Sequence, residues 1–493
     1  MPAPAEFDAA IVGGGPAGST VARCLALHGH RVCLLHRAPQ ADSLHSRWET
    51  LSPGTFDLLR LHHFDVWPSI AQLLVPCSTS VLWTRSDKPS EQGAIPHGML
   101  VDRRLLDPIL RASATAAGAD CLEVGANMPL PLIDRGSVAW CLSFNQSAAP
   151  DIRSRFLVDA AERSSAIRRT RLTLAPTTLA LTASVVDARL DPDTTCVEAL
   201  RDGWLWAGNG SGSNAVVTLF VSPWTVRGWP LGEHSARFLE MLCGSSLLAG
   251  GGTSPRLASN FRAHDATAAE RTPFTADGLL RVGDAALALD PLSGQGIQRA
   301  LVSATQAATV LHTMLVREES AGLAGQFYIE SHREAARKHA MMCQAFYRRQ
   351  DRFDGAFWRE RTSEIFPPSP PHASWASLDA WLDERLMLSH AASWKNVPVI
   401  AGEFIENRRA LCHPSLSRPI AFLEGEPAAE MLANLSAGVT GPALLRQWAE
   451  RYRLPTAAGA RALQLLARHG ILQPAGRKSG ASRYQFRCHA PHY

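Results

Sequence analysis

The chain of 493 residues has no run approaching the roughly 18 consecutive apolar residues of a membrane-spanning helix. Its opening, MPAPAEFD, lacks the basic segment and apolar stretch of a secretory signal. Ten cysteines are scattered without a C-x-x-C pair or a His/Cys grouping at zinc-ligand spacing. These absences lead to the expectation of a cytoplasmic protein whose cysteines serve as small buried hydrophobes in a reducing compartment. Basic and acidic residues nearly balance, 49 against 45. A formal net charge of +4 over this length does not by itself imply nucleic-acid binding. No internal repeat or long low-complexity tract is present. What remains is a globular composition with enough chain for two to four domains.

The strongest positive signal is FDAAIVGGGPAGSTVARCLALHGHRVCLLHR at 7–37. Ala9, Ala10, Ile11 and Val12 make a short apolar run suited to a buried parallel strand. Gly13, Gly15 and Gly18 then give G-x-G-x-x-G: one glycine for the turn, one for close approach of a pyrophosphate, one for helix–strand packing. A helix over 17–27 would aim its free N–H groups at the phosphates. Gly29 stops it, and 31–35 supplies the second strand. The acidic residue that usually holds the ribose, about 20 positions on, is missing. His36 stands there, either as a neutral hydrogen-bond acceptor or simply as a polar strand end.

Further on, SPG at 52–54 reads as a turn and 55–61 as the start of a helix. Glu49, between Trp48 and Thr50, lies in a stretch poor in carboxylates. It is a candidate group near a reactive centre, or a turn carboxylate. Strands are expected at 80–84, 98–101, 121–124, 138–144 and 156–159, with a helix carrying Leu105, Leu106, Ile109, Leu110 and Ala114. Alternation at 179–186, 196–200, 204–207 and 215–221 predicts an inserted antiparallel sheet. Trp204, Trp206, Trp224 and Trp229 would line a pocket in it or pack its core and edge. A strand then leads to Gly283 and Asp284, and the loop 290–296 opens a long helix. Ser293, Gly294, Gln295 and Gly296 form an uncapped helix start suited to negative charge beside a flat ring. A charged amphipathic helix follows over 327–357.

PPSPP at 367–371 is the clearest linker, followed by a Trp-rich helix over 374–388. From about Arg408 a small module begins, in which Thr440 caps a helix carrying Leu444, Leu445 and Trp448. A second helix, 457–469, ends at Gly470. The pattern has a winged-helix character, with Arg461, Arg468, Arg477, Lys478, Arg483 and Arg487. DNA binding, docking of a partner protein and plain structural packing remain open for it.

Four motifs together carry a family resemblance over about 7–350: GGGPAG at 13–18, Asp102-Arg103 with its helix, DAAERSSAIR at 159–168, and GDAALALDPLSGQGI at 283–297. The chain resembles the FAD-dependent aromatic hydroxylases and the flavin-dependent halogenases beside them. The resemblance implies an α/β fold: a Rossmann-like FAD-binding domain (1–80, 106–165, 276–365), an inserted antiparallel β-sheet substrate domain (81–105, 166–275) and a small mainly helical C-terminal domain (366–493). It implies FAD contacts from Gly13, Gly15, Pro16, Ala17, Gly18, His36, Arg37, Arg47, Arg103 and Asp284, with Pro291, Gly294, Gln295, Gly296 and Ile297 bordering the isoalloxazine. Glu49 would be the catalytic residue. No metal is implied. The third motif departs from the family, with Asp159-Ala160 in place of an acidic–glycine pair, so a dedicated NAD(P)H role there is in doubt.

The implied chemistry is hydroxylation of an aromatic ring through a flavin C4a-hydroperoxide, with NADH or NADPH as reductant and O2 as oxidant. Two halogenase features are missing. Where their catalytic lysine belongs stands CSTS at 77–80, Lys88 lying further on, and their halide-binding Ser-Thr-Gly is replaced by SGQG at 293–296. ETLSPG, GWLWA and DPLSGQGI are most similar to the flavoproteins that mature tryptophylquinone enzymes, the companions of lysine- and glycine-oxidase-type quinoproteins and of quinohemoprotein amine dehydrogenase. The resemblance therefore implies a tryptophan in a partner polypeptide as substrate. A small aromatic metabolite, a DNA-binding flavin sensor and a saturating isoprenoid reductase are the alternatives.

Overall fold

Ala9, Ala10, Ile11 and Val12 are all buried, so the apolar run is a strand covered on both faces. The computed structural model describes residues 5–38, 48–87, 98–124, 132–135, 139–143, 151–161, 167, 171–210, 214–249, 254–258, 260–363, 384–433, 435 and 438–475. The chain forms two compact units, Met1–Phe366 with Gly402–Ile405, and Pro367–Ala401 with Glu406–Tyr493.

The first unit holds a largely parallel sheet ordered β6 (Asp120–Val124), β2 (Val32–Arg37), β1 (Ala5–Val12), β9 (Ile152–Asp159), β8 (Trp140–Ser143) and β7 (Leu132–Arg135). The strand β18 (Leu279–Arg281) also pairs with β9. Odd and even residues of β1 go to different cores, as the two-residue period demands. Ala9 and Ile11 pack with Leu34, Val158 and the helices α1 (Pro16–Leu27) and α7 (Gly296–Val316), through Val21, Leu25 and Leu311. Ala10 and Val12 pack with Leu35, Leu157, Trp140 and Leu142. Each fully buried Ile or Leu here contributes roughly 1.5–3 kcal/mol. Alanines at 304, 307 and 308 are buried in the same core as α1, which lets α7 approach closely.

The second sheet runs β15 (Arg256–Leu257), β11 (Leu179–Val186), β14 (Ala215–Val221), β13 (Gly203–Asn209), β12 (Thr194–Leu200), β4 (Val75–Leu82), β5 (Gly98–Asp102) and β3 (Trp48–Leu51), with β16 (Arg262–Asp265) also on β11. It departs from the expected antiparallel insert at one junction: β12 runs parallel to β4. The more than one hundred residues between those strands allow a crossover that a hairpin would not. A small sheet of β10 (Leu172–Thr173), β17 (Ala269–Glu270) and β19 (Leu287–Ala288) completes the strands. The helices α2 (Pro53–His62), α3 (Trp67–Leu73) and α4 (Arg103–Ala116) follow β3 and β5, and α5 (Pro223–Arg227) and α6 (His234–Cys243) follow β14.

The expected helix over 327–357 is two: α8 (Ala321–Arg349) and α9 (Ala356–Thr362). Gln350 closes the break, its side-chain oxygen accepting from Phe353 N at 2.7 Å and its amide donating to Phe353 O at 2.8 Å.

In the second unit β20 (Arg385–Leu388) lies between β25 (Val439–Thr440) and β26 (Leu472–Pro474). The end of the expected 374–388 helix is thus a strand, since pairing on both edges overrides local propensity. Residues 374–383 of that segment, the PPSPP linker and the basic residues from Arg477 onward lie outside the described residues. The helices α10 (Ala428–Met431), α11 (Gly441–Tyr452) and α12 (Thr456–Arg468) enclose Leu444, Trp448, Leu463 and Leu466. Thr440 sits at the start of α11 without a side-chain capping bond. The strands β21 (Ser393–Ala401) and β22 (Phe404–Cys412) pair, as do β23 (Phe422–Leu423) and β24 (Glu426–Pro427).

Candidate functional site

The three glycines after β1 do three different jobs. Gly13 has φ +118°, and a Cβ there would lie 2.3 Å from Ala160 O. A Cβ on Gly18 would lie 1.9 Å from Gly13 O, so helix and turn touch backbone to backbone. At Gly15, by contrast, the nearest atom to an added Cβ is Arg103 Nη2 at 3.4 Å. Gly15 also starts α1, with Pro16 in the first turn and no side chain capping the helix. An open helix start with a guanidinium alongside is the arrangement a pyrophosphate requires.

Arg103 is buried and held on both flanks. Its Nη1 donates to Glu49 Oε1 at 2.9 Å, while Nε and Nη2 donate to the two oxygens of Asp107 at 2.7 and 2.9 Å. Glu49 reaches it from β3, which pairs with β5 so that Glu49 faces Val101. Gly283, at φ +55°, packs its backbone on Ala17, where an added Cβ would lie 3.1 Å from Ala17 Cβ. The half-buried Asp284 therefore stands beside the first turn of α1.

The loop before α7 is anchored from beneath. Asp290 is buried; its carboxylate accepts from Leu292 N at 3.0 Å and from the Tyr347 hydroxyl at 3.1 and 3.2 Å. Its backbone N–H donates to His339 Nε2 at 2.7 Å. Burial and the Asp290 carboxylate push the Tyr347 phenol well above its ordinary value, so it remains a donor. Pro291 starts a short turn, Gly294 follows at φ +60°, and Gln295 begins α7 without a side-chain cap. Among the described residues nothing lies within 4 Å of a Cβ built on Gly294 or Gly296. The side chain of Ile297 points into a core with Leu51, Leu59 and Leu301, so only its backbone can border a ligand. The ETLSPG turn meets this helix start, with Ser52 Oγ donating to Gln298 Oε1 at 3.2 Å.

His36 ends β2 with Glu123 opposite it on β6. Its Nδ1 lies 3.9 Å from Glu123 Oε2. Burial, then the Arg111 charge, hold its pKa below the ordinary value, so it is neutral at pH 7. Arg37 is exposed at the strand end, and Arg47 lies outside the described residues. Two neighbours escape the sequence reading. Arg111 donates to Gly14 O at 3.1 Å, and its place at i+8 from Arg103, with Asp107 between, would have shown it on the same helix face. Glu123 brings the carboxylate that position 36 lacks, and only the strand register reveals it.

A model of the FAD binding domain family matches residues 6–345. The chain belongs to that family. The FAD-binding chain is 26% identical over 325 residues to digeranylgeranylglycerophospholipid reductase of Thermoplasma acidophilum, covering 62% of this chain and 77% of the relative. Among solved structures, the peptidyl tryptophan dihydroxylase QhpG, described as essential for tryptophylquinone cofactor biogenesis, shares its fold with a TM-score of 0.70 at 23% identity, covering 95% of this chain and 100% of QhpG. The flavin-dependent halogenase CmlS aligns with a TM-score of 0.72 at 19% identity over 96% of each chain. The fold is shared with these solved structures, and the open glycines fit the FAD that the family binds.

The four tryptophans of the FAD-binding chain's insert do not share a pocket. Trp204 stacks on Phe220 at 3.9 Å and belongs to a buried cluster with Trp83, Tyr347 and Trp358, against which Trp206 and Leu292 also pack. Trp229 packs on Phe261 in the core on the other face of the sheet, and Trp224 is exposed on α5. Trp204 and Trp206, two residues apart on β13, share one face, while Trp224 and Trp229 come after β14 on and beyond α5. A cavity of about 40 Å³ lies between Asp290, His339, Tyr347 and Arg361, too small for an indole. Asp159 is fully buried 3.5 Å from Arg281 Nε, and its Oδ1 accepts from Ala161 N, which accounts for that residue structurally.

Proposed function

We propose that this FAD-binding chain is an NAD(P)H- and O2-dependent monooxygenase that hydroxylates a tryptophan side chain of a partner polypeptide during tryptophylquinone biogenesis. The observation that carries hydroxylation is the open space at Gly294 and Gly296 at the start of α7, which meets the ETLSPG turn, with no amine on β4 at Cys77, Ser78, Thr79 or Ser80. A halogenase needs a group to steer hypohalous acid; a hydroxylase needs only a dry, positively polarised edge.

Bound FAD would supply the redox chemistry, with NAD(P)H as the two-electron donor, one oxygen atom of O2 going to the ring and the other to water. The chain's own residues do the holding. Gly15 and the α1 N–H groups receive the pyrophosphate, and Arg103 adds a positive charge whose orientation Asp107 and Glu49 set. Asp284 and the His36–Glu123 pair take the hydroxyl-bearing parts of the cofactor. The first N–H groups of α7, at a helix start without a side-chain cap, would favour negative charge on a flavin held beside them. Glu49, on the strand that leads into the ETLSPG turn and hydrogen-bonded to Arg103, is the carboxylate we assign to proton transfer.

The polypeptide substrate is supported by the match to QhpG along its whole length, second unit included, whereas the match to the reductase takes in 62% of this chain. Incubation of FAD-loaded protein with NADH, O2 and quinoprotein precursor polypeptides, followed by mass spectrometry, tests the reading. Addition of about 16 or 32 mass units on a tryptophan is expected from insertion of one or two oxygens. Oxygenation of free indoles or phenols alone would replace the polypeptide with a small metabolite. Saturation of isoprenoid double bonds would overturn the reading.

A further inference from the structure

Away from the flavin cradle, the C-terminal end of α1 and the last turns of α7 bring together three histidines and a glutamate. His28 follows the last residue of α1, His312 lies on α7, and Glu403 comes from Gly402–Ile405, the segment that belongs to the first unit. One ligand atom from each of His28, His312 and Glu403 lies within 4.8 Å of the others. Their tautomers are constrained. His28 Nδ1 is 2.7 Å from Cys24 O, so it carries the proton and leaves a lone pair on Nε2. That lone pair faces Glu403 Oε1 at 3.8 Å, with no proton between them when the imidazole is neutral.

His312 is 6% exposed and its Nε2 has no hydrogen-bond partner among the described residues, an expensive state for a buried polar atom. Its Nδ1 is 2.9 Å from His30 Nε2. When Nδ1 carries the shared proton, His312 Nε2 is a bare donor pair held in place by His30, the usual support of a metal-binding imidazole. The segment bearing Glu403 is also held: Ile405 N donates to Thr313 Oγ1 at 2.9 Å, and Phe404 stacks on His312 at 4.8 Å. The Arg317 guanidinium over Phe404 is the nearby charge that opposes a cation.

We propose that His28, His312 and Glu403 bind one divalent ion of the zinc type, with His30 orienting His312 and water filling the open position. Two imidazoles and a carboxylate suit that ion. Bonds of about 2.0–2.2 Å need donors about 3.3–3.6 Å apart, so the side chains close by roughly an ångström, mostly through the exposed Glu403.

The test is Zn2+ binding by the FAD-loaded full chain after chelator treatment, followed by calorimetry, with Co2+ absorption reporting geometry. One equivalent is expected, and Glu403→Gln and His28→Gln are each expected to weaken it roughly tenfold or more while flavin absorption is unchanged. Because Glu403 is exposed, its variant separates ligand loss from misfolding. No stoichiometric binding by the wild type, or binding that both variants retain, would overturn the site. Neither result bears on the flavin reading.

Discussion

The Arg103 guanidinium joins Glu49 of β3, 2.9 Å from its Nη1, to the first turn of α1, where its Nη2 flanks Gly15. One buried cation thereby links the candidate catalytic carboxylate to the candidate phosphate site. Removing its charge leaves Glu49 and Asp107 without their shared partner, a costly change at a buried site. We expect Arg103→Ala to lower FAD affinity by roughly tenfold or more, about 1.4 kcal/mol, measured by quenching of flavin fluorescence. Glu49→Gln should keep a hydrogen bond to Arg103, and so keep FAD within about twofold, while product formation drops by roughly 10²-fold or more. If turnover falls only in proportion to FAD occupancy, Glu49 is a clamp and not a catalytic residue.

The glycine turn separates fold from binding. At Gly18 an added methyl meets Gly13 O at 1.9 Å, so Gly18→Ala is expected to fail to give soluble protein or to lose several kcal/mol, as overpacking does. Gly15 has φ −82°, and a methyl there meets only Arg103 Nη2, at the ordinary contact distance of 3.4 Å, so Gly15→Ala should melt near the wild-type temperature in the absence of FAD, yet bind FAD roughly tenfold more weakly. Thermal melts of apoprotein beside FAD titrations check both. Equal melting of the two variants would contradict the assigned roles.

Tyr347 anchors the loop that precedes α7. Tyr347→Phe removes a donor from the buried Asp290 carboxylate and should cost about 1–3 kcal/mol. Loosening of the α7 start should also raise uncoupled NAD(P)H consumption, read as peroxide released per NADH oxidised. A variant of wild-type stability would show that the other Asp290 contacts suffice.

Acid should unfold the chain partly through His63. It is fully buried, 2.9 Å from Thr20 Oγ1 and 3.1 Å from Ser113 Oγ. Burial first, then the charges of Arg23 and His62, lower its pKa from 6.5 to about 3. The folded value lies below the unfolded one, so the unfolded state takes up the proton first. Stability contributed by this group is therefore complete above pH 6.5 and is lost as pH falls toward 3, at up to about 1.4 kcal/mol per pH unit. Urea midpoints over that range should fall less steeply for His63→Asn. Parallel slopes would assign the acid sensitivity elsewhere.

Much of the nucleotide half was legible in the sequence because its signals are local. The apolar run before Gly13, the spacing of Gly13, Gly15 and Gly18, and the uncapped stretch from Ser293 to Gly296 each encode a backbone shape within a dozen residues. Local sterics and hydrogen bonding decide such shapes, so α1 and the start of α7 stand where the pattern puts them. Long-range register was not legible. Only pairing of β2 with β6 sets Glu123 beside His36, and only the parallel join of β12 to β4 makes the second sheet mixed. The chain's path after β14, through α5 and the turn that follows it, put Trp229 in the core on the opposite face of the sheet from Trp204, a placement that composition does not carry. The tertiary structure alone turned RLML at 385–388 from a helix into a strand, because two neighbouring edges offered it hydrogen bonds. It alone gathered His28, His312 and Glu403, which are far apart in the chain and meet only where the end of α1 passes the last turns of α7.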